Sequence, residues 1–107
     1  MALRSVQTYQ AWAKVAKALA HPARLMIVDE LAEHGPRCVC ELTELVGSDM
    51  STVSRHLAQL RDAGLIESGK QGQMVFYRLR APCVRGFFDC IQAVLEANWE
   101  QQGQCLR

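Results

Sequence analysis

The sequence predicts a small, mainly α-helical fold with one β-hairpin between its last two helices. Three observations predict it. Apolar residues recur every three or four positions through most of the 107-residue chain, the period of helices packed along one side. Between Leu65 and Leu79 the pattern changes to short runs around a glycine-bearing turn, the second rich in β-branched and aromatic residues, as in a hairpin. Gly and Pro stand between the helical segments, where helices start and stop.

Leu3, Val6, Tyr9, Trp12, Val15 and Leu19 define a first helix over about 3–19. His21-Pro22 breaks it, and Pro22 suits the first position of a second helix, which turns Leu25, Val28, Leu31 and Ala32 inward and stops at Gly35-Pro36. Leu42, Leu45 and Val46 mark a short third helix that ends at Gly47. Ser48, Asp49 and Ser51 offer N-caps for a fourth, with Val53, Leu57 and Leu60 on its apolar side and Gly64 at its end. Leu65 to Ser68, the Gly69-Lys70-Gln71-Gly72 turn and Met74 to Leu79 read as strand, turn and strand. Pro82 opens a last helix to about residue 102, along which Val84, Phe87, Phe88, Ile91, Val94, Leu95 and Trp99 form a nearly unbroken apolar stripe.

Half of the chain is apolar, more than one small core needs. A core of about sixty residues between the terminal helices is too small to cover both stripes. Pairing helices 3–19 and 82–102 across a two-fold axis would bury them, so a homodimer of single-domain subunits spanning 1–107 is expected. The longest apolar runs are four residues, far below the roughly 18–20 that cross a bilayer, and the N-terminus has no secretion-signal pattern. The expectation is a cytoplasmic protein with no membrane partner. Its five cysteines are an odd count, which suits reduced thiols with ligand or redox chemistry better than a disulfide framework.

Residues 51–80 carry five basic side chains (Arg55, Arg61, Lys70, Arg78, Arg80) against two acidic ones, so a polyanion would dock there. Within about 41–63 the pattern is short helix, turn at Gly47, then a helix with a polar leading end: a helix-turn-helix. A hairpin over about 65–80 follows at once, making a winged helix-turn-helix. At 100° per residue, Ser51, Ser54, Arg55 and Ala58 face away from the apolar side, with Thr52 and Gln59 at the edge. Small hydroxyl side chains and one Arg suit entry into the major groove of double-stranded DNA. Lys70 and Gln71 at the wing tip suit phosphate or minor-groove contact. His56 reads as a core-edge histidine. No nucleophile–base pair, phosphate loop or paired carboxylates point to an enzyme.

Cys38 and Cys40 are the sharpest chemical feature. In an extended segment, residues i and i+2 point the same way, so both sulfurs can face one ion. Lying just before a helix, they gain thiolate character from its dipole, and thiolate binds soft ions. Two small buried hydrophobes is the plainer alternative. Cys83 and Cys90 are seven residues apart on one helix, roughly 10 Å along its axis, too far to chelate one ion together. Cys105 lies near the C-terminus.

Several segments together resemble the arsenic-repressor (ArsR/SmtB) family: His21-Pro-Ala-Arg24-Leu25, Cys38-Val-Cys40-Glu41-Leu42, Ser51-Thr-Val-Ser-Arg-His-Leu57, Leu60-Arg-Asp-Ala-Gly-Leu65 and Val75-Phe-Tyr-Arg-Leu79. The resemblance implies a dimeric repressor of a metal or metalloid resistance operon, released from its operator when an inducer ion binds Cys38 and Cys40. Arsenic sensors of the family add a cysteine three residues after the second, where this chain has Thr43. A third thiolate would come from Cys83, Cys90 or Cys105, within the chain or across the dimer. The family's zinc sensors use His and Asp on the last helix, but the histidines here are His21, His34 and His56. Arsenite or antimonite is therefore the first expectation for the inducer and cadmium or lead the second. A thiol redox switch and a metal-buffering module without DNA are the rivals.

Overall fold

The computed structural model describes residues 4–102. They form α1 (Val6–Leu19), α2 (Pro22–His34), β1 (Arg37–Cys38), α3 (Val39–Val46), α4 (Met50–Asp62), β2 (Ile66–Gln71), β3 (Met74–Leu79) and α5 (Val84–Gln101). The sequence pattern anticipated every helix and both hairpin strands. Ser5 caps α1, its side chain accepting from the Thr8 N–H. The N-cap of α2 is His21, whose ring accepts from the Ala23 N–H, with Pro22 in the first turn. Of the three N-cap candidates for α4, Asp49 takes the position. Between α3 and α4 the chain turns at Gly47, whose φ of 78° lies in the left-handed region that only glycine enters freely.

The sheet differs from the bare hairpin expected. It has three antiparallel strands in the order β1-β3-β2. Arg37 stands opposite Tyr77 and Cys38 opposite Phe76, so the segment before α3 is sewn to the wing. The hairpin turn is also tighter than the pattern predicts. Pairing runs through Lys70 opposite Val75 and Gln71 opposite Met74, which leaves Gly72-Gln73 as a two-residue loop. Gly72 has a φ of 63° and Gln73 does not enter positive φ, as a II′ turn with glycine first requires.

The core gathers Ala18 and Leu19 of α1, Ile27, Val28 and Leu31 of α2, Leu42 of α3, Val53, Leu57 and Leu60 of α4, Leu65, Ile66 of β2 and Val84 of α5. Ile27 was not among the positions expected to face inward, yet it is fully buried. The terminal helices keep only their inner ends in this core. Val6, Tyr9, Trp12 and Val15 of α1 and Phe87, Ile91, Val94 and Leu95 of α5 remain exposed. The shape is extended accordingly, with a radius of gyration of 16.2 Å, whereas a compact chain of this length has about 13 Å. Among the described residues, no helix is long and apolar enough to cross a membrane.

Candidate nucleic-acid interface and thiol pair

Helix α4 is held by its inner side. Val53, Leu57 and Leu60 have no exposed surface, so the opposite side of the helix must face outward. Ser51, Ser54, Arg55 and Gln59 are exposed there, and Thr52 and Ala58 are half-buried. The helical spacing predicts this for Ser51, Ser54, Arg55 and Thr52, whereas Ala58, expected outward, is half-buried and Gln59, expected at the edge, is exposed. The structure adds a hydrogen-bonded chain along the leading turns. The Thr52 hydroxyl donates to the Asp49 carboxylate at 2.5 Å, and Arg55 donates to the Thr52 hydroxyl at 3.4 Å. The Thr52 bond, ahead of a smaller one from Ser51, holds the Asp49 carboxyl below its ordinary range. Asp49 therefore stays ionised and orients the side chains beside it. The sequence marked it only as a cap; its spacing of three from Thr52 was the available signal.

On the wing, Lys70 and Gln71 are exposed on β2. Both lie within the paired strand rather than in the loop, so their backbone is more constrained than a turn tip's. Arg78, opposite Glu67 across the hairpin, is tied to it by an ion pair of 2.6 Å. Arg80 donates to the Gly64 carbonyl at 3.2 Å, bracing the junction of α4 with the wing.

The thiol pair departs from the expected geometry. The extended stretch ends at Cys38, which is the N-cap of α3, and Cys40 is already inside the helix. Residues two apart on a helix do not face each other. Cys38 is buried and Cys40 is exposed, so the two sulfurs do not share a face in this conformation. The reason is local. The Cys38 N–H donates to the Glu41 carboxylate at 3.0 Å, completing a capping box with cysteine where Ser or Thr usually stands. That backbone bond, above all, keeps the Glu41 carboxyl below its ordinary range. The Cys-x-x-Glu spacing was the signal for this cap.

Thr43, a hard hydroxyl and a poor partner for a soft ion, donates to the Val39 carbonyl at 2.7 Å. Cys83 and Cys90 are exposed at the start and middle of α5. Cys105 lies outside the described residues. Among the described residues, no group of three or more His, Cys, Asp or Glu side chains is placed to hold a metal ion. As they stand, the residues do not form a three-coordinate site.

His56 is half-buried, as its place beside the apolar side of α4 predicts. Its ring accepts a hydrogen bond from Arg24 at 3.1 Å and packs against the ring of His21.

Comparison with known proteins agrees with this architecture. Residues 21–68 match the family described as "Bacterial regulatory protein, arsR family". The chain is 38% identical over 86 residues to an arsenic resistance transcriptional regulator (ArsR1) of Pseudomonas putida, covering 80% of this chain and 67% of the relative. It is 48% identical over 63 residues to the arsenical resistance operon repressor of Escherichia coli K12, covering 59% of this chain and 54% of that protein. Among solved structures, a homodimeric winged helix-turn-helix DNA-binding domain from Mycobacterium bovis superposes with a TM-score of 0.74 at 31% identity, covering all of this chain and 99% of that one. Fold and relatives are those of DNA-binding transcriptional regulators and not of enzymes. With two helices meeting at Gly47, a wing behind them and relatives spanning most of its length, the chain belongs to the ArsR family of bacterial transcriptional repressors.

Proposed function

We propose that this protein is a homodimeric repressor of a metalloid resistance operon. It holds double-stranded operator DNA through α4 and the wing and lets go when arsenite or antimonite takes the thiolates of Cys38 and Cys40. The observation that carries the reading is the outward row of Ser51, Ser54, Arg55 and Gln59 on a helix whose inner side is fully buried. Such a helix cannot roll, so what it presents to a groove is set. Lys70 and Gln71 extend the contact along the wing. The exposed stripes of α1 and α5 supply the dimer contact, with a hollow of about 370 Å³ between Trp12, Leu19, Val84 and Phe87 for a partner side chain to fill. Homodimerisation of the M. bovis relative and the arsenical roles of two others support the assignment.

The inducer reading requires a second conformation. Cys38 and Cys40 meet only if the first turn of α3 opens and the Cys38–Glu41 bond breaks. An ion that binds the opened form better shifts the population toward it. For release from 99% bound to 1% bound, that preference must be about 10⁴-fold. The test is fluorescence anisotropy on a promoter duplex, titrated with arsenite under reducing conditions. The parent should release DNA and the Cys38→Ser/Cys40→Ser variant should stay bound. If both stay bound, arsenite is not the inducer.

A redox reading rests on a different observation, the exposure of Cys40, Cys83 and Cys90. Release by peroxide with ions chelated would favour it. Cadmium or lead would need a third or fourth thiolate beyond the pair, from Cys105 or from a partner subunit.

A further inference from the structure

Three side chains join the recognition helix to the start of α2, and none of them faces the DNA side of α4. His21 is the N-cap of α2, with its Nδ1 accepting from the Ala23 N–H at 3.1 Å. Its ring lies 4.4 Å from that of His56, centroid to centroid, at an interplanar angle of 52°. The His56 Nδ1 accepts from Arg24 Nε at 3.1 Å. Arg24 also reaches the Ala18 carbonyl near the end of α1 at 3.5 Å. One cluster thus ties α1, α2 and α4 together behind the reading face.

Both imidazoles act here as acceptors through Nδ1. A protonated imidazole has no acceptor left. Protonating His56 would set an N–H against the Arg24 N–H. The groups that act electrostatically on His56 are His21 and Arg24 from the α2 side and Arg55 from α4 itself. All of them are cations or become cations on protonation, while α1 contributes the Ala18 carbonyl through Arg24.

We propose that His21, Arg24 and His56 form a proton-sensitive junction that positions the recognition helix, so that operator affinity requires the His56 imidazole to be neutral. The proposal rests on the reading of α4 as the DNA-contacting helix. His56 is a positioning residue, acting on DNA only through the set of α4 against α2. Burial first, then His21, Arg24 and Arg55, hold its ring below the ordinary value of 6.5. In the junction it therefore binds fewer protons than in an opened form. The junction is at full strength above about pH 6.5 and weakens as the pH falls through the lowered value. Each unit of depression is worth at most a tenfold loss.

The sign makes the test decisive, because added positive charge by itself tightens binding to a polyanion. Operator affinity would be measured at pH 8 and pH 5.5 at constant ionic strength, with thermal unfolding followed at the same pH values. The parent should bind its operator measurably more weakly at pH 5.5 than at pH 8. His56→Gln keeps an oxygen acceptor for Arg24 and cannot titrate, so its affinity and unfolding should change little between the two pH values. Should that variant fail to fold, His56→Asn, which also offers Arg24 an oxygen acceptor and cannot titrate, takes its place with the same expectation. Constant or rising parental affinity at pH 5.5 overturns the proposal, as does an equal fall in the folded variant. If nothing binds operator at pH 8, the repressor reading fails instead. The junction is then judged on unfolding alone: acid should destabilise the parent more than the variant, and equal loss would overturn it.

Discussion

Arg55 is the side chain on α4 whose removal has the plainest consequence. It is exposed and its hydrogen bond within the protein is a long one to Thr52, so the fold does not depend on it. Arg55→Ala should cost about 1–3 kcal/mol of operator affinity while the melting temperature stays within a degree or two of the parent. Anisotropy and thermal unfolding on the same preparation check both halves. A metal-buffering protein that binds no DNA would be indifferent to the change. Much of this face was legible in the sequence, because a period of 3.6 residues fixes which side of a helix is buried once Val53, Leu57 and Leu60 are seen. The cysteines were less legible. The i, i+2 rule holds for a strand, and whether Cys40 lies in a strand or a helix depends on a cap made by Glu41, a local bond that apolar periodicity does not register. The His21–His56 contact was hidden for another reason. It joins residues 35 positions apart, and hydrophobic spacing carries no information about which polar edges meet.

At the scale of elements, the helix-turn-helix hinges on Gly47. Its backbone is left-handed, with a φ of 78°, and a Cβ there would meet nothing within 4 Å. Substitution is therefore penalised by backbone strain and not by collision. Gly47→Ala should destabilise the protein by about 1–2 kcal/mol, and Gly47→Asn by less, since Asn tolerates this region better than Ala. Denaturant unfolding of the two variants separates strain from clash, because a clash would rank the larger Asn as worse. The glycines and prolines announced the helix ends well for this reason: they mark conformations and missing donors that other residues avoid. Strand β1 had no such announcement. Two residues are too few to show a period, and their pairing with β3 is a long-range event. The tight hairpin was blurred because Gly69 and Gly72 both suit a turn, and only cross-strand pairing decides between them.

For the whole molecule, the terminal helices are the unfinished part of the single chain. Ile91 and Val94 of α5 lie exposed on an otherwise apolar stripe, and one buried charge in a two-fold interface is repeated on the partner. Ile91→Glu should therefore shift the protein toward monomer in sedimentation equilibrium at micromolar concentration and weaken operator binding at least tenfold, since two half-sites would no longer be engaged together. A dimer of unchanged strength would place the contact elsewhere. The stripes themselves could be read from the sequence, because they are too long and too apolar for so small a core.

Strand β1 also has a mechanical meaning. Cys38 ends a strand that pairs with β3 of the wing and begins the helix that leads into α4. A displacement at this one residue is therefore divided between the two arms of the proposed DNA contact. A strand of two residues is a weak joint, and such joints open at a small fraction of the free energy of global unfolding. Opening it would leave both the core around Leu42, Leu57 and Leu60 and the anchoring of the wing through Leu65 and Ile66 in place. If the proposed release runs through this joint, DNA is dropped and retaken without exposing the interior to proteases or aggregation on each cycle.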